Sequence, residues 1–344
     1  MKAIIQRTYG GPEILELQDI ERPSIGPDEV LVRVHAASIH VGDWILMTGS
    51  PFIMRMATGL RRPKNPVPGS DVAGTVEAVG TDVQRLRPGD EVFGWGAGAF
   101  AEYVAASEAQ FVLKPASLTF EQAAAVGVSA TTALQLLRDD GKVRPGQKVL
   151  VNGASGGVGT FAVQIAKAFG AEVTGVCSTK NVDLVRSIGA DHVIDYTSDD
   201  FTTGTARYNL ILDNVGNHSM AETRRALTPT GTLISNGGGH AGGKVGRTIR
   251  TMLVSMFVRQ QARPTVKTQN LDDLVALKEL VDAGTIAPVI DATYQLSATP
   301  KAIARVASGR TRGTIVISML QAPSGAAASA LPPHGLPVPA ASVG

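Results

Sequence analysis

The chain has 344 residues, of which 44% are hydrophobic and 18% charged, with a formal net charge of +2 at pH 7. That length suggests about two domains with room for a sizeable core, while the near-neutral charge and 5% aromatic content argue against nucleic-acid binding through bulk electrostatics or base stacking. A single cysteine, Cys177, excludes an internal disulfide and a multi-cysteine zinc site, and points to a reducing, cytoplasmic setting.

The opening run "MKAIIQRTYGG" carries too short an apolar stretch to read as a signal peptide. No segment approaches 18 consecutive apolar residues, so stable membrane insertion is not expected. Residues 1 to about 115 read as β-rich. "EVLVRVHAAS" alternates with period 2 and "DVAGTVEAVG" does so more loosely, with turn signals such as "GPDE", "RPGDEVFG" and "GWGAGAF" at short spacing. A partly open β-barrel fits this pattern.

The pattern changes after Pro115. Thr119 and Gln122 have the spacing of a capping box, predicting a helix that Gly141 stops. Residues 148–152 then read as a strand and 157–169 as a helix. "AEVTGVC" is a strand, "NVDLVRSIGA" a helix and "DHVIDY" a strand, and "YNLILDNVG" and "GTLISNGG" continue the series. Such alternation predicts an α/β, doubly wound parallel sheet with right-handed crossovers. Residues 271–284 form an amphipathic helix with Leu274, Leu277 and Val281 inward and Gly284 at its end. "TPKAIARVASG" is another helix and "GTIVISM" a buried strand. The arginine-flanked run "MLVSMFV", 252–258, reads as buried, and 321–344 as a disordered tail rich in Ala, Pro, Gly and Ser.

The most informative stretch is "KVLVNGASGGVGTFAVQIAKAFGA", where Gly153, Gly156, Gly157 and Gly159 separate an apolar strand from an amphipathic helix. A glycine motif alone is weak, but between a strand and a helix, with a second βα unit following, it reads as a dinucleotide-binding turn. Gly153 permits the tight turn, Gly156 and Gly157 let a diphosphate approach the main chain, and Gly159 allows close helix–strand packing. The amides of Gly157, Val158 and Gly159 lack intrahelical partners and face the anion, with the helix dipole adding roughly 0.3–1 kcal/mol. The second strand ends in Cys177-Ser178-Thr179-Lys180, with no carboxylate at its tip to take a ribose 2′-hydroxyl. Ser178 and Lys180 instead suit a 2′-phosphate, which favours NADPH over NADH. Asn236 and Gly237 follow the C-terminal end of a sheet strand, where ligands bind in open α/β sheets, and are expected near the nicotinamide ring. Trp95 and Phe100 are expected either in an apolar acceptor pocket or in the core.

"PGSDVAGTVEAVG", "RPGDEVFG", "GAFAEYV", "VRPGQKVLVNGASGGVG", "IGADHVIDY" and "ARVASGRTRGTIVI" follow one another in this order over residues 1 to about 320. In them the chain resembles a zinc-independent member of the medium-chain dehydrogenase/reductase superfamily, in its quinone oxidoreductase-like branch. The resemblance implies a GroES-like catalytic domain over 1–120, completed by about 268–320, and a Rossmann domain over 121–267, with the cofactor in the cleft between them. It implies hydride transfer from a nicotinamide to a small-molecule quinone, enone or similar carbonyl acceptor, and a homodimer formed through the edge strand of the nucleotide sheet, towards which "GTLISNGG" leads. It also places Tyr196 near the adenosine and Thr132 beside the nicotinamide.

In zinc-dependent relatives a Cys, a His–Glu pair and a second Cys hold a catalytic ion. The corresponding positions here read His40, Ser70-Asp71 and Val128. One imidazole and one carboxylate do not make a three-ligand catalytic site, so the resemblance implies no zinc. Hydride delivery without a Lewis acid needs a hydrogen-bonding proton source, and His40 is the candidate, with Asp43 three residues on to orient it. Many relatives carry Asn at the His40 position. Two other readings stand beside this one. One is a zinc-free alcohol dehydrogenase or ketoreductase; the other is a non-catalytic NADPH-binding protein with a structural or redox-sensing role. A third, an enoyl-thioester reductase, is weaker because it wants a donor Tyr near residue 44, where the chain has Trp44.

Overall fold

The computed structural model describes residues 1–50, 52, 55–236, 261–264 and 268–319. The segment 252–258, Gly237 and the tail 321–344 therefore lie outside the described residues. Strands β1 (Lys2–Ile5) and β2 (Glu16–Asp19) pair as an antiparallel ribbon. Then come β3 (Glu29–Ile39), the helices α1 (Val41–Thr48) and α2 (Arg55–Thr58), and β4 (Asp71–Val79), β5 (Glu91–Trp95), β6 (Tyr103–Ser107) and β7 (Phe111–Leu113). The long strand β3 organises this region. Its first half pairs with β6, its second half with a strand from the far end of the chain, and β4 lines its other edge. The alternation in "EVLVRVHAAS" becomes alternate burial, with Val30, Val32 and Val34 inside, as a sheet with one packed face requires.

Helix α3 (Phe120–Gln135) begins at the expected capping box: Gln122 N donates to Thr119 Oγ1, and Thr119 N donates to Gln122 Oε1. A wide turn over Leu136–Asp140 follows, ending at Gly141. The chain then runs through β8 (Lys148–Asn152), α4 (Gly157–Ala168), β9 (Glu172–Cys177), α5 (Val182–Ser187), β10 (His192–Asp195), β11 (Tyr208–Asp213), α6 (Met220–Arg225), β12 (Leu227–Ser235) and β13 (Gln261–Pro264). These six strands are parallel, in the order β10-β9-β8-β11-β12-β13. The chain starts in the middle, winds outward to one edge and returns to wind to the other, which is the dinucleotide-binding order with its switch point between β8 and β11. β12 is one strand in from the edge, so β13 rather than "GTLISNGG" forms the edge among the described residues.

Helix α7 (Leu271–Asp282) buries Leu274, Leu277 and Val281, and Gly284 beyond its end takes φ +66°. The chain finishes with β14 (Ile290–Gln295), α8 (Thr299–Ala307) and β15 (Thr314–Ser318). β15 returns to the first sheet and lies antiparallel to β3, with β14 parallel outside it. The order of that sheet is β14-β15-β3-β4-β5-β7. The two sheets share α3. Its small residues Ala123, Ala124, Ala125 and Ala130 pack in one cluster with Ala36, Ala73 and Phe93 of the first sheet and Val149, Val151 and Phe161 of the second unit. Small side chains let the helix lie close to both neighbours, and each large residue buried there contributes about 1.5–3 kcal/mol.

Candidate active site

The glycine turn stands at the switch point. Gly153 takes φ +81°, a left-handed conformation that favours glycine, and a Cβ there would lie 2.8 Å from Val215 Cγ2. A Cβ on Gly159 would lie 2.1 Å from Gly153 O and 2.9 Å from Ala154 Cα, so its close packing is against the turn itself. A Cβ on Gly156 would meet nothing nearer than Gly153 O at 3.6 Å. That space opens directly before the first turn of α4, which contains no acidic residue. A Cβ on Gly157 would face Ser129 Oγ at 3.2 Å and Thr314 Oγ1 at 3.6 Å. The Thr314 hydroxyl is buried and has no hydrogen-bond partner. Two hydroxyls, from α3 and β15, therefore close on the start of α4. Neither was legible in the sequence, because both reach the turn from elements distant in the chain. The backbone adds a further clasp, with Gly313 N donating to Ser155 O at 2.8 Å.

The second βα turn lies beside the first. Ser178 is half-buried and Lys180 exposed, and no ion pair engages Lys180 among the described residues. Tyr196, 59% exposed, donates its backbone N–H to Cys177 O, which places it at the end of the neighbouring strand. A carboxylate missed in the sequence reading stands here too. Asp195 accepts from Thr197 N and Oγ1 at 3.0 and 2.8 Å. Hydrogen bonds from Thr179 and Thr197 hold it below the usual carboxylate range. It precedes Tyr196 on β10 rather than standing at the tip of β9, which is why the strand-end search passed over it. Cys177 is buried, and its thiol is pushed up to about 11 by desolvation, with Asp195 adding to the shift. Asn236 Nδ2 donates to Asn214 Oδ1 at 2.8 Å, at the C-terminal ends of β11 and β12.

The first sheet contributes a polar cluster facing α3. His40 precedes α1, and its backbone N–H donates to Asp43 Oδ2 at 2.9 Å. Its Nε2 lies 2.9 Å from Ser70 Oγ and 3.5 Å from Asp43 Oδ2. Asp43 is buried, and that burial raises its carboxyl above the usual range. Asp71, fully buried, accepts from Ser38 Oγ at 2.7 Å and from Val128 N at 3.0 Å. Desolvation raises it to about 6, opposed chiefly by His40. The bond to Val128 explains a kink in α3: Gly127 takes non-helical angles (φ −10°, ψ −119°), and a Cβ there would lie 2.3 Å from Asp71 Oδ1. Thr132 lies one turn beyond Val128 and is half-buried. Trp95, opposite Asp71 on β5, is partly buried. Phe100 is fully buried and packs over Gly69, so it belongs to the core.

Thus the residues at the metal-ligand positions of zinc-dependent relatives, His40, Ser70, Asp71 and Val128, do come together. Their donor groups are turned towards one another and towards backbone. Among the described residues no three His, Cys, Asp or Glu side chains converge so as to hold an ion. No helix among them is long and apolar enough to cross a membrane.

Comparisons agree with this architecture. Residues 26–116 match the alcohol dehydrogenase GroES-like domain family, and residues 188–317 match the family described as zinc-binding dehydrogenase. The human protein named NAD(P)H oxidoreductase RTN4IP1, mitochondrial, is 35% identical over 93% of this chain and 89% of its own length. A quinone oxidoreductase of Pseudomonas aeruginosa is 33% identical over 92% of this chain and 99% of its own. The solved structure of the quinone oxidoreductase from Coxiella burnetii superposes with a TM-score of 0.82 at 29% identity, covering 93% of this chain and 99% of that one. With a parallel sheet wound in dinucleotide order, a GroES-like sheet and relatives of this kind along nearly its whole length, the chain belongs to the medium-chain dehydrogenase/reductase superfamily, in its quinone oxidoreductase branch, and is an NAD(P)H oxidoreductase.

Proposed function

We propose that the protein is an NADPH-dependent, zinc-free reductase of quinones, enones or similar conjugated carbonyls. The observation that carries this reading is the open glycine turn at the switch point of the sheet, supported by the His40–Ser70 hydrogen bond. The residues fit a dinucleotide: the space beside Gly156 admits a diphosphate, the first turn of α4 repels no anion, and the buried Thr314 hydroxyl lacks a protein partner. When bound, the reduced nicotinamide supplies the hydride. The amides at the start of α4 would hold the diphosphate, with Thr132 and Asn236 on the nicotinamide side. Ser178, Lys180 and Tyr196 take the adenosine side, where an ammonium and a hydroxyl suit a 2′-phosphate. On the same side stands the Asp195 carboxylate, whose Oδ1 accepts from Thr197 N and Oγ1. Its charge acts against a 2′-phosphate, so the preference for NADPH rests on Ser178 and Lys180 outweighing it.

Hydride addition leaves negative charge on the substrate oxygen, which must be stabilised and protonated. Ser70 and His40 are both half-buried and hydrogen-bonded to each other. The Ser70 hydroxyl would give its proton to that oxygen and recover one from Nε2 of a protonated His40, which is left as neutral imidazole and regains a proton from solvent. Asp43 holds the imidazole by accepting from the His40 backbone N–H and lying close to the ring. The family description implies zinc, but the donor set does not fit an ion. Val128 offers only an apolar side chain, and its backbone N–H is itself a donor to Asp71, whose other oxygen is held by Ser38. No step is routed through a metal.

The test is NADPH and NADH oxidation against quinones, enones, aldehydes and saturated ketones, with and without a strong chelator. We expect NADPH to be preferred, conjugated acceptors to turn over and the chelator to be without effect. Chelator-sensitive turnover, or reduction of saturated ketones only, overturns the reading.

A further inference from the structure

Asn181 lies four residues beyond the end of β9 and is 5% exposed. Its Nδ2 donates to Ser155 Oγ at 2.9 Å and to Ser178 Oγ at 3.3 Å. Ser155, 9% exposed, belongs to the glycine turn after β8, and Ser178 follows β9, the adjacent parallel strand. One amide therefore spans two neighbouring strand-to-helix turns. A hydroxyl that accepts from an amide keeps its own proton for another partner. Both serines are thus set as donors, and phosphate oxygens are acceptors. The Asn181 Oδ1 is buried without a hydrogen-bond partner, a state that native proteins seldom leave unanswered.

We propose that Asn181 is the positioning residue of the cofactor site. It orients Ser155 towards the diphosphate and Ser178 towards the 2′-phosphate. This rests on the dinucleotide reading above and adds a residue that the sequence pattern does not reveal. An aspartate at 181 would be nearly the same size but could only accept. It would draw both serine protons inward and set a negative charge beside the phosphates.

The test is calorimetric titration of the full chain with 2′-phospho-ADP-ribose and with ADP-ribose, which needs no turnover. Asn181→Ala should weaken the phosphorylated ligand about tenfold and the plain one about threefold, reducing the preference between them. Ser178→Ala should reduce that preference similarly, and the double variant should reduce it no further, because Asn181 acts on the 2′-phosphate through Ser178. Asn181→Asp should weaken the phosphorylated ligand about a hundredfold. An unchanged preference in Asn181→Ala, or full additivity with Ser178→Ala, overturns the proposal. If the alanine variant does not fold, Asn181→Asp binding the phosphorylated ligand as tightly as the parent overturns it equally. Failure of the parent protein to bind either ligand removes the dinucleotide reading itself, and this proposal with it. Binding by the parent with unaltered variants removes only the role of Asn181.

Discussion

At the scale of single residues, the cluster around His40 separates a chemical role from a structural one. Ser70→Ala deletes the hydroxyl 2.9 Å from His40 Nε2 and leaves the half-buried surface otherwise intact. We expect kcat for an enone to fall about 100-fold, the range of a lost general acid, with NADPH affinity unchanged. His40→Gln should lower it to a similar extent, and the double variant by little more, because the two act as one relay. Full turnover in either single variant would remove the relay. Asp71 makes a different statement. Its carboxyl sits at about 6 in the folded protein, against 3.8 as the reference value, because burial disfavours the charge. The native state therefore holds an extra proton between about pH 4 and 6, and stability falls as pH rises through that window, by up to about 3 kcal/mol. Asparagine at 71 can still accept from Val128 and cannot ionise. The stability of Asp71→Asn relative to the parent should thus increase from pH 4.5 to pH 7.5 in denaturant unfolding. Asp43, raised in the same direction, interacts with Asp71, so the comparison reads the Asp71 charge together with its coupling to Asp43. A difference independent of pH would contradict the buried-charge account.

At the scale of elements, most of the architecture was legible, because each signal was local. The Thr119–Gln122 box, the strand at 148–152, the helix from 157 and the buried stripe Leu274, Leu277, Val281 all stand where the pattern predicts them. What was not legible depends on contacts distant in sequence. Ser129 and Thr314 reach the glycine turn from α3 and β15, Asn181 spans two turns, and Ser70 gains meaning only from His40, thirty positions earlier in the chain. The glycines of the turn also differ more than their spacing suggests. Gly156→Ala adds a methyl with no atom nearer than 3.6 Å, at φ −83°, an ordinary backbone conformation. It should leave folding intact or stabilise it by about 0.4–1 kcal/mol, while weakening NADPH at least tenfold by filling the phosphate space. Gly159→Ala drives a methyl to 2.1 Å from Gly153 O and should destabilise by about 1–3 kcal/mol or more. Thermal unfolding and fluorescence titration of the two variants separate these outcomes. Equal losses of stability in both would show that the opening beside Gly156 is not there.

At the scale of the whole molecule, α3 packs against both sheets, which are also tied by the Gly313–Ser155 backbone bond. Asp71 Oδ1 on β4 accepts the Val128 N–H of that helix, and the bond exists because Gly127 departs from helical geometry to present it. The same helix carries Ser129 to the glycine turn. Gly127→Ala would place a methyl 2.3 Å from Asp71 Oδ1. Either the carboxylate gives up a buried hydrogen bond, at about 1–3 kcal/mol, or the helix lifts from the sheet, at a similar overpacking cost. We expect a loss of about 2–5 kcal/mol, read as a lowered denaturant midpoint with an unchanged slope if both units still unfold together. Asp71→Ala removes the obstructing oxygen and loses the bond on its own account. Adding Gly127→Ala to it should then cost much less than in the parent, because the methyl gains room. Strict additivity of the two substitutions would mean that residues 71 and 127 do not meet.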